Sequence, residues 1–240
     1  MQLQSYDGWL FLLRWIHFMS GIVWIGILYY FNLVQTPFFA ETDPPVRSGA
    51  VQKLVPRALW WFRWGAMITF LSGWLIILHK LGRDYGWAGW WGSSYGWTIT
   101  LGGILGSIMW ANVWFVIWPK QKIVIANAIQ TAKGGAAIPE AAAAGRRAAL
   151  ASRTNVVLSI PMLFYMGAAS HLSLVRPTAG GKAWMVILSV IVIALVEINA
   201  VVGTQGATKK PLDTIPGTLT AGFVLALVFY LMFEIFLRAM

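Results

Sequence analysis

Residues 9–34 form the apolar stretch WLFLLRWIHFMSGIVWIGILYYFNLV, in which Arg14 and His17 are the basic side chains. A helix needs about 20 apolar residues to cross a bilayer core that is about 30 Å thick. This stretch is therefore long enough to span a membrane. It is too long for the apolar core of a signal peptide and lacks a small-residue cleavage site, so we interpret it as a retained span.

Five further apolar stretches of similar length follow along the chain. They cover residues 58–81, 97–118, 154–175, 183–204 and 217–238. An open strand cannot satisfy its backbone polar groups in lipid, so stretches of this length indicate helices. The sequence therefore predicts an all-α bundle of six transmembrane helices, with residues 1–240 forming one integral membrane domain. Pro119 either ends the third helix or kinks it, Pro161 kinks the fourth, and the run at 141–144 extends the fourth helix backwards.

The composition excludes several classes of protein. Of the 240 residues, 58% are hydrophobic and 11% are charged, which excludes an ordinary soluble domain and a disordered chain. The net charge is +10, but most of the 18 Lys and Arg residues lie in short loops beside apolar stretches, as in membrane proteins. No polar region combines a basic patch with base-stacking aromatics, so the sequence disfavours nucleic-acid binding.

The loops between the spans predict the orientation of the chain. Loop 119–153 is the longest polar segment, and it shares one side of the membrane with loops 35–57 and 205–216. That side carries twelve Lys and Arg residues, against six on the other side. Because basic loops stay in the cytoplasm, we expect both termini to lie outside.

All three histidines fall near the predicted outer face. His17 lies about nine residues into a helix that enters from outside, which is about 12 Å deep at about 1.5 Å per residue. His171 lies near the outer end of the fourth helix, and His79 ends the second. Ionisable side chains within a membrane are costly and tend to be functional, although a bundle hydrogen bond is the alternative for each. We interpret His79, beside Lys80 and Arg83, as an interfacial residue, with metal ligation as the alternative.

Glycines accompany two of the histidines at helical spacing. Gly21 follows His17 by four residues, and Gly167 precedes His171 by four, so each pair shares a helix face. Bare backbone beside an imidazole leaves flat space for a porphyrin. Arg14, three residues before His17, either meets a haem propionate or extends to the lipid headgroups. The chain has no cysteine, which excludes haem c and iron–sulfur clusters. The pattern predicts one non-covalent haem b with His17 and His171 as iron ligands.

Three stretches carry more specific patterns. They are LRWIHFMSGIVWIG at 13–26, NVWFVIWPKQK at 112–122 and SRTNVVLSIPMLFYMGAASH at 152–171. These stretches resemble helices in the membrane domain of the cytochrome-c-linked bacterial urate oxidases, also called urate hydroxylases. The last two predicted helices match that domain only in their general character.

The resemblance implies a haem-associated, multi-pass redox domain in the bacterial inner membrane, which passes electrons outward to a c-type cytochrome. It carries over His17 and His171 as haem ligands and, less specifically, Arg14. Full-length members of the family end in a cytochrome c domain. The sequence given ends at Met240 without one, so we expect a short form that works with a separate cytochrome, another redox subunit or a larger respiratory complex.

Three functions remain open from the sequence. The first is a haem b protein that relays electrons near the periplasmic face. The second is a membrane oxidoreductase that converts urate to 5-hydroxyisourate with cytochrome c as acceptor, although the sequence does not indicate catalytic residues. The third is a cofactor-free structural subunit of a respiratory complex, and a transporter is a further alternative. Glu197 lies within the fifth predicted span, where it serves either proton uptake or a hydrogen bond in the bundle. Glu234 lies near the outer end of the sixth, where it either pairs with Arg14 or extends to the headgroups.

Overall fold

The computed structural model describes residues 2–174 and 179–237, and every regular element in these ranges is helical. The all-α prediction is therefore confirmed for this part of the chain. Val175, Arg176 and Arg238, which the sequence prediction placed at the outer ends of spans, lie outside the described residues.

Seven main helices follow one another along the chain. They are α1 (Tyr6–Glu41), α2 (Pro44–Lys53), α3 (Val55–Gly92), α4 (Ser94–Ala132), α5 (Ala141–His171), α6 (Ala179–Val201) and α7 (Ile215–Phe236). Three of them contain a π-helical turn, at Tyr30–Gln35 in α1, Lys80–Tyr85 in α3 and Asn112–Ile117 in α4. Short helical turns also occur at Gln2–Gln4, Ala207–Lys209 and Lys210–Asp213.

Side-chain caps fix where several helices begin. The hydroxyl oxygens of Ser5, Ser93 and Thr214 accept hydrogen bonds from the first-turn amides of α1, α4 and α7, which satisfies donors that the helix itself leaves unpaired. Pro119 lies inside α4, which continues to Ala132, and Pro161 lies inside α5. The run at 141–144 opens α5, as predicted.

Five helices in the described part of the chain are long and apolar enough to cross a membrane. They are Tyr6–Glu41, Val55–Gly92, Ser94–Ala132, Gly181–Val201 and Ile215–Phe236. Five of the six predicted spans lie on these helices, with different bounds. The remaining predicted span, 154–175, lies mostly on α5, whose 31 residues extend for about 46 Å at about 1.5 Å per residue.

Helix α5 carries several polar side chains that neighbouring helices bury. It packs against α4, α6 and α7 and touches α1, so Arg153, Thr154, Asn155 and Ser159 are buried among side chains. A helix shielded from lipid in this way needs no continuous apolar surface. The largest fully buried side chains of the bundle include Trp24, Phe62, Met109, Leu158, Tyr165 and Phe229.

Glycines let the helices approach one another closely. A Cβ on Gly102 of α4 would lie 2.9 Å from Met166 Cγ, and one on Gly222 of α7 would lie 2.4 Å from Ile160 Cδ1. Small residues at such crossings allow tight packing between membrane helices. Gly102 and Gly222 therefore allow α4 and α7 to pack closely against α5.

Contacts between helix ends show which termini share each end of the bundle. The Tyr6 hydroxyl donates to Asp84 Oδ1 at 2.8 Å, which joins the start of α1 to the end region of α3. At the opposite end, Arg146 pairs with Asp213 at 2.6 Å. We call the end with the Tyr6–Asp84 contact the histidine end, because His17, His79 and His171 lie in the parts of α1, α3 and α5 nearer to it. We call the end with the Arg146–Asp213 pair the basic end.

Candidate functional site

His17 lies in the interface between α1 and α3. Its Nδ1 is 2.9 Å from the Thr69 carbonyl oxygen and 3.2 Å from Ser72 Oγ. Gly73 makes room for the ring, because a Cβ there would lie 2.9 Å from His17 Cε1. Donation from Nδ1 to the carbonyl leaves Nε2 with a lone pair, which is the arrangement that metal-ligating histidines adopt.

The other residues predicted beside His17 have different surroundings. Gly21 faces α3, with its Cβ position 3.9 Å from Thr69 Cγ2, so its backbone patch forms part of the helix interface. Arg14 is exposed. The two residues therefore lie on α1 as the sequence predicts, but the structure places α3 against Gly21.

His171 is the exposed last residue of α5, and Gly167 beside it has open space around its Cα. The heights of His171 and His17 can be compared through the hydrogen bond between Tyr29 of α1 and Ser159 of α5, which is 2.9 Å long. Each histidine is twelve residues from that contact toward the histidine end, or about 18 Å at about 1.5 Å per residue. The two therefore stand at similar heights, while the hydrogen bonds described for His17 go to α3.

His79 is part of a separate group at the histidine end. Its Nδ1 bonds to the Leu75 carbonyl at 2.9 Å, and its ring stacks on Tyr6 with centroids 6.5 Å apart. Tyr6 also lies under the Arg83 guanidinium, 4.1 Å from the ring centroid. A shallow depression of about 540 Å³ lies over these side chains. The surroundings agree with the interfacial interpretation of His79.

A buried amide cluster joins α4, α5 and α6, and sequence reasoning assigned its two asparagines no role. Asn112 Nδ2 donates to Asn155 Oδ1 and to Glu197 Oε2, both at 3.0 Å. Asn155 Nδ2 in turn donates to the Met109 carbonyl at 2.9 Å. Asn112 begins the π-helical turn of α4, and such turns often occur at functional sites. An asparagine within an apolar stretch was the available sequence signal.

A second cluster that the sequence did not predict surrounds Arg63 of α3. The guanidinium lies over two indole rings, 5.2 Å from the centroid of Trp114 and 4.0 Å from that of Trp118. Arg63 Nε and the indole Nε1 atoms of Trp110 and Trp114 are buried without a hydrogen-bond partner in the described structure. We call Arg63, Trp114 and Trp118 the donor cluster, because Arg63 and Trp114 present N–H groups that lack acceptors in the described structure.

The basic end is held by cations that bind carbonyl oxygens. Lys209, only 3% exposed, donates to the carbonyl oxygen and Oδ1 of Asn199 and to the Val202 carbonyl, at the end of α6. Burial lowers the pKa of the Lys209 ammonium, and the positive charges of Arg147 and Arg146 lower this pKa further. These side chains fix the loop between α6 and α7 against α5.

Residues 91–232 match the urate oxidase N-terminal family. This chain belongs to that family. The matched part of this chain contains the amide cluster and His171. It also contains two of the three sequence stretches that carry the resemblance. His17 and Arg63 precede it. No curated protein and no solved structure matches the chain.

Proposed function

We propose that this chain is an integral membrane oxidoreductase that oxidises urate and passes the electrons to a c-type cytochrome or another redox partner. The observation that carries the proposal is the family match over residues 91–232. The overall change, urate plus water to 5-hydroxyisourate, releases two electrons and two protons. The protein therefore needs a site for a planar anion and a group that accepts a proton.

The donor cluster has the chemistry to bind urate. Urate is a flat, anionic bicycle with several carbonyl oxygens, so it accepts hydrogen bonds and stacks on aromatic rings. Arg63 Nε and Trp114 Nε1 are buried donors without acceptors, and a guanidinium is well suited to a planar anion. Arg63 lies eight residues into α3 from the basic end, or about 12 Å along the helix, so we place urate entry on the predicted cytoplasmic side.

The amide cluster supplies a carboxyl group on the opposite face of the same helical turn, toward α5 and α6. Asn112, which bonds to Glu197, shares the π-helical turn Asn112–Ile117 with Trp114. We propose that Glu197 accepts a proton released by urate oxidation, because it is the ionisable member of that cluster. In this arrangement Asn112 positions the carboxyl group and does not itself touch the substrate.

The experiment measures urate binding and turnover in lipid nanodiscs, with ferricytochrome c as electron acceptor. Losing a hydrogen bond to a charged group costs about 1.5–3 kcal/mol, so Arg63→Gln should weaken urate binding by about 10- to 100-fold. Trp114→Phe keeps a ring but removes the N–H, and a smaller loss is expected. Trp61→Phe is the control, since Trp61 is 58% exposed. Unchanged urate binding in both test variants would refute the donor cluster as the urate site.

A haem b electron relay is the second candidate, and the geometry of His17 favours it. Nδ1 of that ring is held by the Thr69 carbonyl, so Nε2 is available for iron, and His171 stands at a similar height. The donor chemistry of these residues fits haem iron. When bound, haem b would supply a one-electron carrier, and two histidine ligands leave no open iron position, which favours electron transfer over substrate activation.

A reduced-minus-oxidised visible spectrum with pyridine extraction tests this second candidate. We expect about one haem b per chain, and loss of the haem in His17→Ala and His171→Ala but not in His79→Ala. A folded protein without haem would refute the relay. If such a protein also fails to bind urate, the cofactor-free structural subunit becomes the better interpretation.

A further inference from the structure

A cavity of about 420 Å³ lies between α5, α6 and α7, on the basic half of the bundle. Its volume is within the range of small-molecule sites, about 300–1,000 Å³. Most of its wall is aliphatic, with Val157, Val192, Val196, Ala221, Leu225 and Val228 among the lining residues. Such a wall favours an apolar ligand.

Three polar residues, Thr154, Asn199 and Thr208, also line this cavity, and the hydroxyl group of Thr154 is buried. Thr154 of α5 lines it and is only 1% exposed, yet its Oγ1 has no hydrogen-bond partner in the described structure. Other buried helical threonines bond to their own helix, as Thr69 does to the Gly65 carbonyl and Thr98 to that of Ser94, both at 2.7 Å. An unpaired buried hydroxyl destabilises the protein, so a ligand that bonds to Thr154 recovers the lost hydrogen bond.

The cavity is bordered by side chains on the lipid-facing surface. Leu195 of α6 and Val224 of α7 line it and are 63% and 53% exposed. These two helices are long and apolar enough to cross a membrane, so their exposed faces contact acyl chains. A ligand can therefore enter from the bilayer and leave an apolar tail between the two helices.

The nearby cations do not provide a phosphate site. Lys209 uses its donors on the Asn199 and Val202 oxygens at the end of α6. Arg153 is 9% exposed and donates to the carbonyl of Leu212, a lining residue. The unpaired donor is the Thr154 hydroxyl within the cavity, which suits a neutral head with a carbonyl acceptor better than an anionic phospholipid headgroup.

We propose that this cavity binds an isoprenoid quinone, with a ring carbonyl accepting a hydrogen bond from Thr154 and the tail passing between Leu195 and Val224. The positive charge of Arg153, which donates to the carbonyl of the lining residue Leu212, favours a head whose carbonyl oxygens carry partial negative charge. This binding is independent of urate chemistry, because it involves neither the donor cluster nor the histidines.

The test measures binding of decylubiquinone to the full chain in nanodiscs of synthetic, quinone-free lipid, by isothermal titration calorimetry. The same titration into empty nanodiscs corrects for partition into lipid. Thr154→Val keeps the shape but removes the hydroxyl, and we expect Kd to rise about five-fold, as for one lost hydrogen bond. Thr154→Ser keeps the hydroxyl and should retain most of the affinity.

A second pair of variants tests the location of the ligand without changing its hydrogen bond. Leu195→Trp fills the cavity and should abolish saturable binding, whereas Val190→Trp places the same ring on the lipid-facing side of α6, at a residue 61% exposed, and should have no effect. Wild-type affinity in both Thr154→Val and Leu195→Trp would overturn the proposal. So would the absence of saturable binding, or equal competition by an alkylbenzene that has no carbonyl group.

Discussion

Removing the amide group of Asn112 should destabilise the bundle more than any conservative change at its partner Glu197. Asn112 is 2% exposed and donates to two acceptors, Asn155 Oδ1 and Glu197 Oε2, at 3.0 Å each. Asn112→Leu has a similar volume but leaves both oxygens without this donor. Glu197→Gln, in contrast, keeps an acceptor oxygen for Asn112.

The expected size follows from the two bonds that are lost. Interhelical hydrogen bonds in membrane proteins contribute about 0.6 kcal/mol on average and about 1.7 at most, and a bond to a charged group contributes about 1.5–3 kcal/mol. Asn112→Leu should therefore lower the free energy of unfolding by about 2–4 kcal/mol. Glu197→Gln should change it by less than about 1 kcal/mol, because an amide–amide bond replaces the original one.

The assay is reversible unfolding in mixed micelles of SDS and a mild detergent, followed by far-ultraviolet circular dichroism. The double variant Asn112→Leu with Glu197→Leu removes both partners, and replacing both by apolar groups is less costly than leaving one unpaired. We expect it to be at least about 1 kcal/mol more stable than the summed losses of the single variants Asn112→Leu and Glu197→Leu predict. Strict additivity would refute the coupling between these side chains.

Three further substitutions test other contacts. Gly73→Ala places a Cβ 2.9 Å from His17 Cε1 and should lower the free energy of unfolding by about 1–3 kcal/mol through overpacking. The displaced imidazole should change the NMR chemical shift of His17, and an unchanged shift contradicts this packing. Lys209→Met removes the donors that bond to oxygens at the end of α6, and it should lower the thermal midpoint of unfolding by several degrees. Lys210→Met, at an exposed lysine, should not lower it. Equal midpoints in the two variants contradict the role of Lys209 in holding the end of α6. Arg146→Gln breaks a partly exposed ion pair and should change the free energy of unfolding by less than about 1 kcal/mol, so a larger loss in the micelle assay contradicts the surface assignment.

The positions of the helices were largely predictable, and their ends were not. Apolar run length predicted a helix at each described span, but α1 begins at Tyr6 and continues to Glu41, beyond the apolar stretch at 9–34. Polar residues prolong it because a helix leaving the membrane still satisfies its backbone internally. The alternative left open at Pro119 is decided by continuation of α4 to Ala132.

The candidate sites were less predictable, because they combine residues that are distant in sequence. His17 was predicted as a site residue from its depth, its spacing to Gly21 and the family resemblance, but its bonds to Thr69 and Ser72 depend on the rotation of α1 against α3. Arg63 was not among the candidate site residues predicted from the sequence, whereas the structure places Trp114 and Trp118 beneath it. Neither contact could be predicted from a periodic pattern in the sequence, because each joins residues on different helices.

The sequence by itself determined that this protein is helical and apolar enough for a bilayer, because backbone satisfaction and apolar run length are local properties of a chain. Only the tertiary structure decided which polar side chains meet. Asn112, Asn155 and Glu197 lie on three different helices, and whether their side chains touch depends on helix rotation and crossing. Those are set by packing over the whole bundle, including the close approaches at Gly102 and Gly222.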